Sequence, residues 1–300
     1  MSHPWDPIAD ETLRLPDGRT LAYMEWGDRE GTPVLCFHGM PGSRLFFPDP
    51  PAAAELGVRA ITIDRPGVGG SDPQPGHRIA DGAADVELFA DALGFDRFGV
   101  VGWSAGVPYA LACAALIPRR LTGVAGTNSA SAMIYLAPDD PQIAAAVIDD
   151  DDRRIQELLA TDPDAGLREA IAVGADWAAD LAEHPEQLLT EPDEGDGWFF
   201  EDPVREAMFV DSIREGVRQG IEGVALQWVA QLAPWGFRIE DVGIPFGLWA
   251  GASDRLTPPD RMRLLADRIP GARLTVWDDG GHLAIAKHLP EVLRDVLGER

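Results

Sequence analysis

The chain runs Phe98-Gly99-Val100-Val101-Gly102-Trp103-Ser104-Ala105-Gly106 and continues in an alanine-rich segment as far as Ile117. The apolar run is typical of a strand buried on both faces, and the alanine-rich segment is typical of a helix. A sharp turn between them forces its middle residue into a strained conformation and requires small neighbours, which Gly102 and Gly106 provide. The sequence therefore predicts that Ser104 is an exposed nucleophile, the alternative being a serine that only caps the helix.

Short apolar runs of the same kind recur on both sides of this turn, and helical patterns separate them. This alternation favours an α/β fold, a mostly parallel sheet covered by helices on both faces. An Asp-Gly turn at residues 16–19 predicts an antiparallel hairpin near the start of the chain. The predicted buried strands are Val34–Phe37, Ala60–Ile63, Phe98–Val101, Leu121–Ala125, Phe246–Ala250 and Leu274–Trp277.

The alternation stops after about Ser131, and strand-like runs resume at Phe246. We interpret residues 132–237 as a helical cap inserted between a first core segment, residues 1–131, and a second, residues 238–300. Open α/β sheets bind ligands at the carboxyl edge of their strands, so the cap is expected to cover that edge. The helical stretches predicted within it are Ile143–Leu159, Leu167–Leu181 and Val204–Leu232.

A serine hydroxyl is a weak nucleophile without a neighbouring base. His282 follows a predicted strand and the turn Gly280-Gly281, and it precedes a helix. A loop in this place can reach the serine, so His282 is the predicted base. The other histidines lie in a terminus, in surface or cap loops, in the last helix, or after the strand Val34–Phe37; they are His3, His77, His184, His288 and His38.

A histidine base needs a carboxylate that fixes its tautomer and stabilises its charged form. Asp254 comes directly after the strand Phe246–Ala250 and Gly251-Ala252-Ser253, so it is the predicted partner of His282. The chain order is then nucleophile, acid, base. The competing acids are Asp260, Asp278 and Asp279. No acid follows the strand Leu121–Ala125, where Thr127-Asn128-Ser129 stands instead.

A second glycine-containing loop, His38-Gly39-Met40-Pro41-Gly42-Ser43, follows the strand Val34–Phe37. An oxyanion requires two backbone N–H donors that point at one spot. We expect Ala105, next to the nucleophile, to provide one donor and Met40 to provide the other. His38 is then expected to hold this loop, and its alternative role is that of a general base.

Together these segments resemble the α/β-hydrolase superfamily, in its capped esterase, peroxidase-like and iminopeptidase-like branch. The resemblance runs from about residue 12 to 130 and from 240 to 297, and it includes Asp64-Arg65-Pro66-Gly67-Val68-Gly69-Gly70-Ser71, a structural turn in the family. It implies the α/β-hydrolase fold with the set Ser104, Asp254 and His282.

Dehalogenases and epoxide hydrolases of this fold attack with aspartate, so a serine at position 104 disfavours both activities. Prolyl iminopeptidases usually have a second glycine at the position of Met40, which disfavours aminopeptidase activity.

The chain has 50 acidic residues against 25 Lys and Arg, a formal net charge of −25. This charge excludes a nucleic-acid partner bound by phosphate neutralisation, and it disfavours anionic membranes. The segment from Asp139 to Glu215 holds 23 acidic residues and five arginines, a net charge of −18. That segment is either a solvated surface or the source of a field that repels anionic substrates.

The sequence has no apolar run of transmembrane length, and its first residues lack the features of a secretory signal. Cys36 and Cys113 lie in separate apolar segments without metal-ligand spacing, as expected of buried, reduced thiols. We therefore predict a cytoplasmic protein that uses neither a metal nor a cofactor.

These residues predict a hydrolase that cleaves an ester, lactone or related acyl bond of a small, mostly apolar substrate through an acyl-enzyme. Two alternatives stay open, a cofactor-free lyase or cyclase using the same residues for proton transfer and a ligand-binding protein that retains them. The candidate substrate-binding residues, each of which would also suit a core, are Trp103, Trp198, Phe199, Phe200, Phe209 and Trp228.

Overall fold

The computed structural model describes residues 5–185 and 192–299. Its strands are β1 Ala9–Arg14, β2 Thr20–Gly27, β3 Thr32–Phe37, β4 Val58–Ile63, β5 Phe98–Trp103, β6 Leu121–Thr127, β7 Phe246–Gly251 and β8 Arg273–Trp277. They form one sheet in the order β1-β2-β4-β3-β5-β6-β7-β8. The pairs β1–β2 and β2–β4 are antiparallel, and every pair from β4 to β8 is parallel. The predicted α/β fold with a mostly parallel sheet is confirmed.

The helices are α1 Pro50–Glu55, α2 Ile79–Ala92, α3 Val107–Leu116, α4 Ala130–Leu136, α5 Pro141–Val147, α6 Asp150–Leu159, α7 Pro163–Glu183, α8 Gly197–Phe200, α9 Pro203–Gly216, α10 Ile221–Leu232, α11 Pro259–Arg268 and α12 Ala284–Leu297. Within residues 5–185 and 192–299, none of them is both long and apolar enough to cross a membrane.

Both faces of the sheet are buried from β2 to β7, whereas the edge strands β1 and β8 are partly exposed. Successive side chains of a strand point to opposite faces, so each inner strand contributes to two apolar clusters. Leu35 of β3 packs in one apolar cluster with Phe89 of α2 and the fully buried Tyr109 of α3. Its neighbour Val34 belongs to a second cluster, on the other face, with Val296 of α12. The continuous apolar runs in the sequence therefore correspond to strands with helices above and below them.

The chain between β6 and β7 is helical, and no strand occurs there in the part that the structure describes. The predicted stretch Ile143–Leu159 is two helices, because Asp149 starts α6 as its N-cap, with its side chain accepting the Asp152 N–H at 2.8 Å. The stretch Val204–Leu232 is also two helices. Gly220, with a φ of +89°, occupies the left-handed region between them.

The inserted helices are attached to the sheet by polar contacts near the carboxyl ends of the strands. Arg44 Nη1 contacts Asp64 Oδ2 at 2.7 Å and Glu215 Oε1 of α9 at 2.6 Å. The backbone N–H of Ser43 donates to Ser212 Oγ of α9 at 2.9 Å. Ser43 and Arg44 lie at the end of the loop that leaves β3, so α9 lies over the same edge of the sheet as the loop of residues 38–43.

Candidate active site

Ser104 lies where β5 ends, with a φ of +52°. A non-glycine residue in this left-handed conformation costs of order 1–3 kcal/mol, and such strain is concentrated at functional sites. A Cβ at Gly102 would lie 2.6 Å from the carbonyl oxygen of Gly106, and a Cβ at Gly106 would overlap the carbonyl of Phe37. Only glycine fits at either position, so the turn takes the sharp form that its sequence predicts.

His282 and Asp254 meet at the carboxyl edge of the sheet, in the loops after β8 and β7. The distance from His282 Nδ1 to Asp254 Oδ2 is 3.0 Å, and the carboxylate of Asp254 is fully buried. An ionised carboxylate only accepts hydrogen bonds, so His282 Nδ1–H is the donor here. Nε2 of the neutral ring then carries a lone pair and is free of the proton, the state that a general base requires.

Asp254 is held by several donors. Its Oδ1 accepts the backbone N–H groups of Leu256 at 2.9 Å and Thr257 at 2.8 Å, and its Oδ2 also accepts Nδ2 of Asn128 at 2.8 Å. Burial alone would raise the pKa of this carboxyl, but the hydrogen bonds from His282, Asn128 and Thr257 bring the pKa below its ordinary value. Asp254 is therefore ionised at neutral pH despite being buried.

The three competing acids lie outside this arrangement. Asp260 is exposed in the first turn of α11, where it pairs with Arg263 at 3.2 Å. Asp279 pairs with Lys287 at 2.5 Å and with His288 at 2.8 Å. Asp278 is exposed. None of them contacts His282.

Ser104 and His282 line one cavity of about 460 Å³, a volume that suits a small organic ligand. Its wall is mostly apolar and includes acidic groups on the side of the inserted helices. The lining residues are Gly39, Met40, Pro41, Trp103, Ser104, Pro192, Asp193, Asp196, Phe200, Phe209, Arg255, Leu256, His282 and Leu283. Of the predicted substrate-binding residues, Trp103, Phe200 and Phe209 are among them.

The other three predicted substrate-binding residues lie elsewhere. Phe199 is fully buried in the cluster that contains α12, because it points from α8 into the core. The Trp198 ring lies under the guanidinium of Arg205, 4.7 Å from its centre. Trp228 packs within the inserted helices and donates its Nε1–H to Asp152 at 2.7 Å. Some aromatic residues of the insertion thus pack in the core and others line the cavity. Amino-acid composition alone does not distinguish these two roles.

The predicted oxyanion donors, Met40 and Ala105, follow β3 and β5, two neighbouring parallel strands. The backbone N–H of Met40 has no acceptor within the described residues, and Ala105 lies in the first helical turn after Ser104. The loop that carries Met40 is held from behind by the buried Arg65, whose guanidinium donates to the carbonyls of His38 and Gly39, the latter at 3.0 Å. The same side chain donates to Gln227 of α10 at 2.7 Å.

His38 is buried, and its Nδ1 lies 2.7 Å from the Gly39 carbonyl. Burial lowers the pKa of His38 well below its ordinary value, so the ring is neutral. These contacts favour the role of holding the loop over that of a general base. Among the described residues, His282 is the only histidine that lines the cavity with Ser104.

His77 differs from the expectation of an exposed loop residue. It is buried against Tyr109, and burial lowers its pKa to about 4. His288 stacks on Trp277 at 4.7 Å and contacts Asp279 and Glu291. His184 is exposed at the end of α7, and His3 lies outside the described residues.

Three further residues at the site were missed in the sequence. Asn128 follows β6 with a φ of +52° and donates to both Asp254 and the Gly281 carbonyl. Its position after a buried strand is visible in the sequence, but an amide there does not by itself indicate a contact with the acid of the site. Asp193 and Asp196 contact the loop of His282 from the inserted segment. Nothing in the local sequence distinguishes them from the other acids around them.

Residues 32–289 match the family described as alpha/beta hydrolase fold. A non-heme chloroperoxidase of Streptomyces lividans is 37% identical over 103 residues, which are 32% of this chain and 35% of that protein. A poly(3-hydroxyalkanoate) depolymerase of Ectopseudomonas oleovorans is 27% identical over 279 residues, 91% of this chain and 86% of that protein. This chain therefore spans about a third of the first relative's length and most of the second's.

A solved structure, the enol-lactonase from Burkholderia xenovorans LB400, is similar with a TM-score of 0.66 and 23% identity. The match covers 96% of this chain and 100% of that chain. At this level of identity the likeness shows a common fold.

Proposed function

The chain belongs to the α/β-hydrolase fold family, and from that premise we propose that it is a serine hydrolase acting on an ester, lactone or related acyl bond. One observation carries the proposal. The strained Ser104 lines the same cavity as His282, whose Nδ1 is held at 3.0 Å from a buried carboxylate. Fold alone would not select a reaction, because one fold serves many.

In the proposed reaction His282 Nε2 takes the hydroxyl proton while Ser104 Oγ attacks the acyl carbonyl carbon. The carbonyl oxygen becomes an oxyanion, which the N–H groups of Met40 and Ala105 stabilise. The protonated His282 then gives its proton to the leaving alcohol oxygen, and an acyl-Ser104 ester remains. Water, deprotonated by His282, attacks this ester and releases the acid, which restores Ser104. Asp254 stabilises the charged imidazole in both steps.

The cavity supports a small and mostly apolar substrate. Trp103 from the core faces Phe209 from α9, with their ring centres 6.5 Å apart. Met40 and Leu256 extend the apolar wall. We further propose that the helices between β6 and β7 form the cap, since Phe200 and Phe209 cover Ser104 from that side. Beyond the groups around the reacting carbonyl, the polar side chains of the wall are Asp193, Asp196 and Arg255.

Labelling with a fluorophosphonate tests the proposal directly. The wild-type protein is expected to gain one covalent adduct at Ser104, measured by intact mass and peptide mapping, and to release p-nitrophenol from short p-nitrophenyl esters. Ser104→Ala is the matched control and is expected to do neither. A wild-type protein that stays unlabelled, or a label on Ser104→Ala, contradicts the assignment.

The acidic insertion predicts a charge preference that depends on salt. An ester that carries a carboxylate should show a lower kcat/KM than a neutral ester of equal size, because Asp193 and Asp196 line the cavity and the segment from Asp139 to Glu215 carries a net charge of −18. Raising the ionic strength from 0.01 to 0.1 M shortens the screening length from about 30 Å to about 10 Å. We expect kcat/KM of the charged ester to rise roughly tenfold.

The neutral ester is the control, and its kcat/KM should be unchanged by the same salt. The charge acts on the encounter of substrate and protein, so kcat of the charged ester should also stay constant. Equal, salt-independent values of kcat/KM for the two esters would show that the acidic residues face away from the entrance.

A further inference from the structure

Two buried carboxylates of the inserted segment bind the backbone of the loop that carries His282. Asp196 Oδ1 accepts the N–H of Gly281 at 2.8 Å, and its Oδ2 accepts the N–H of Leu283 at 2.9 Å. Asp193 Oδ2 accepts the N–H of His282 itself at 3.1 Å. Three consecutive amides of the histidine loop thus have their acceptors on another part of the chain, about 85 to 90 residues away.

The two segments also fit closely. A Cβ at Gly281 would overlap the Asp193 side chain, and a Cβ at Gly195 would lie 3.3 Å from Cα of Gly280. Asp196 and Asp193 are 1% and 9% exposed, although both belong to a strongly acidic segment. Burying a carboxylate is costly unless its oxygens accept hydrogen bonds, and here both oxygens of Asp196 do so.

A neutral side chain could not replace this arrangement. An amide has one oxygen, so asparagine at position 196 would turn its NH₂ group toward the N–H of Gly281 or Leu283. Burial and the nearby charge of Asp193 raise the pKa of Asp196 above its ordinary value, although the bonds from these two amides and the charge of His282 oppose the rise. The carboxylate therefore interacts with His282 both through the loop backbone and through charge.

The same segment forms part of the cavity wall. Asp193, Asp196 and Phe200 all line the cavity beside His282, and Phe199 anchors α8 in the core. Asp193 Oδ1 also accepts Nε of Arg255, the residue after Asp254, at 2.6 Å. The segment of residues 193–200 thus contacts the loops of both the base and its acid partner.

From these contacts we propose that Asp196, assisted by Asp193, is a positioning residue that holds the His282 loop so that the imidazole lies between Asp254 and Ser104. The proposal rests on the serine-hydrolase function. It implies that the base is correctly placed only while the segment of residues 193–200 is docked on the loop. One segment of the chain then fixes both the cavity wall that contacts the substrate and the histidine that takes the hydroxyl proton of Ser104.

The test compares Asp196→Asn and Asp193→Asn with Glu194→Gln, a matched control because Glu194 is exposed and lies between them. A misplacement of the base by about 1 Å costs on the order of 10²-fold, so kcat of Asp196→Asn for a neutral p-nitrophenyl ester should fall by that factor with KM within about threefold. Fluorophosphonate labelling should slow in parallel. Glu194→Gln should match the wild type.

A second readout does not depend on activity. Hydrogen exchange of the Gly281, His282 and Leu283 amides, followed by NMR, should become roughly tenfold faster in Asp196→Asn, because the bonds to the carboxylate are weakened. A parallel loss of kcat and of amide protection supports the positioning role. If Asp196→Asn is too unstable to purify, kcat and amide exchange of Asp193→Asn are compared with the wild type instead. The Asp193 substitution alters only the contacts to the His282 N–H and to Arg255.

Four results would overturn the proposal. Faster amide exchange with wild-type kcat would mean that the carboxylates only anchor the insertion. A change in KM alone would place them in substrate binding. A wild-type protein that neither takes the label nor cleaves any ester would remove the serine-hydrolase function and the positioning role with it, whereas labelling at equal rates in wild type and both variants removes the positioning role alone.

Discussion

Replacing His282 with alanine is expected to lower kcat by roughly 10⁴-fold or more, with KM for a neutral ester little changed. Without the imidazole nothing removes the hydroxyl proton of Ser104, and the strained turn alone cannot activate it. Initial rates with a p-nitrophenyl ester measure the loss. The double variant with Ser104→Ala should be no worse than either single variant, because the two groups act in one step.

His288→Ala and His38→Ala are the controls for this experiment. His288 stacks on Trp277 and contacts Asp279 and Glu291, and it does not line the cavity of Ser104, so its removal should leave kcat within about twofold. His38→Ala should lower the thermal midpoint because the ring is buried beside the loop of Met40. An equal loss of kcat in His288→Ala, with folding intact, would contradict the assignment of His282.

The fold was predictable because its signals are local. The run before Ser104, the glycines on either side of it and the helix after it are all contained in about twenty residues. The six predicted strands are short apolar runs that need no long-range information, and the structure contains all of them. Leu274–Trp277 was wrongly expected to be buried on both faces, because it forms the edge strand β8, which is half exposed. The family match agrees with this result.

The contacts within the candidate site were harder to predict, because they join distant parts of the chain. Asn128 meets Asp254 across 126 residues, and Asp196 meets Leu283 across 87. Among the 50 acidic residues of the chain, only burial and geometry distinguish Asp193 and Asp196. The lack of long-range information in the sequence also explains why some aromatic residues were wrongly predicted to bind substrate. Phe199 and Phe200 are adjacent, yet one points into the core and the other into the cavity.

The next largest effect is expected for the substitution Asp254→Asn, which should lower kcat by roughly 10³- to 10⁴-fold. The carboxylate accepts from His282 Nδ1, Asn128 Nδ2 and the amides of Leu256 and Thr257. An asparagine side chain keeps the shape but has one oxygen. If that oxygen faces the two amides, the new NH₂ group faces Nδ1 and forces the proton of His282 onto Nε2, where the base needs a lone pair.

A loss of kcat this large would distinguish orientation of His282 by Asp254 from a role of Asp254 in packing alone. Asp260→Asn removes the same charge from an exposed residue of α11 and should leave kcat unchanged, which shows that net charge is not the cause. The Asp254 variant should stay folded, since the isosteric side chain preserves the accepting oxygen toward Leu256 and Thr257. Its remaining activity should exceed that of His282→Ala, because a neutral imidazole in the wrong tautomer can still rotate or exchange its proton. Wild-type kcat in Asp254→Asn would mean that another acid orients His282, and the assignment of Asp254 would be wrong.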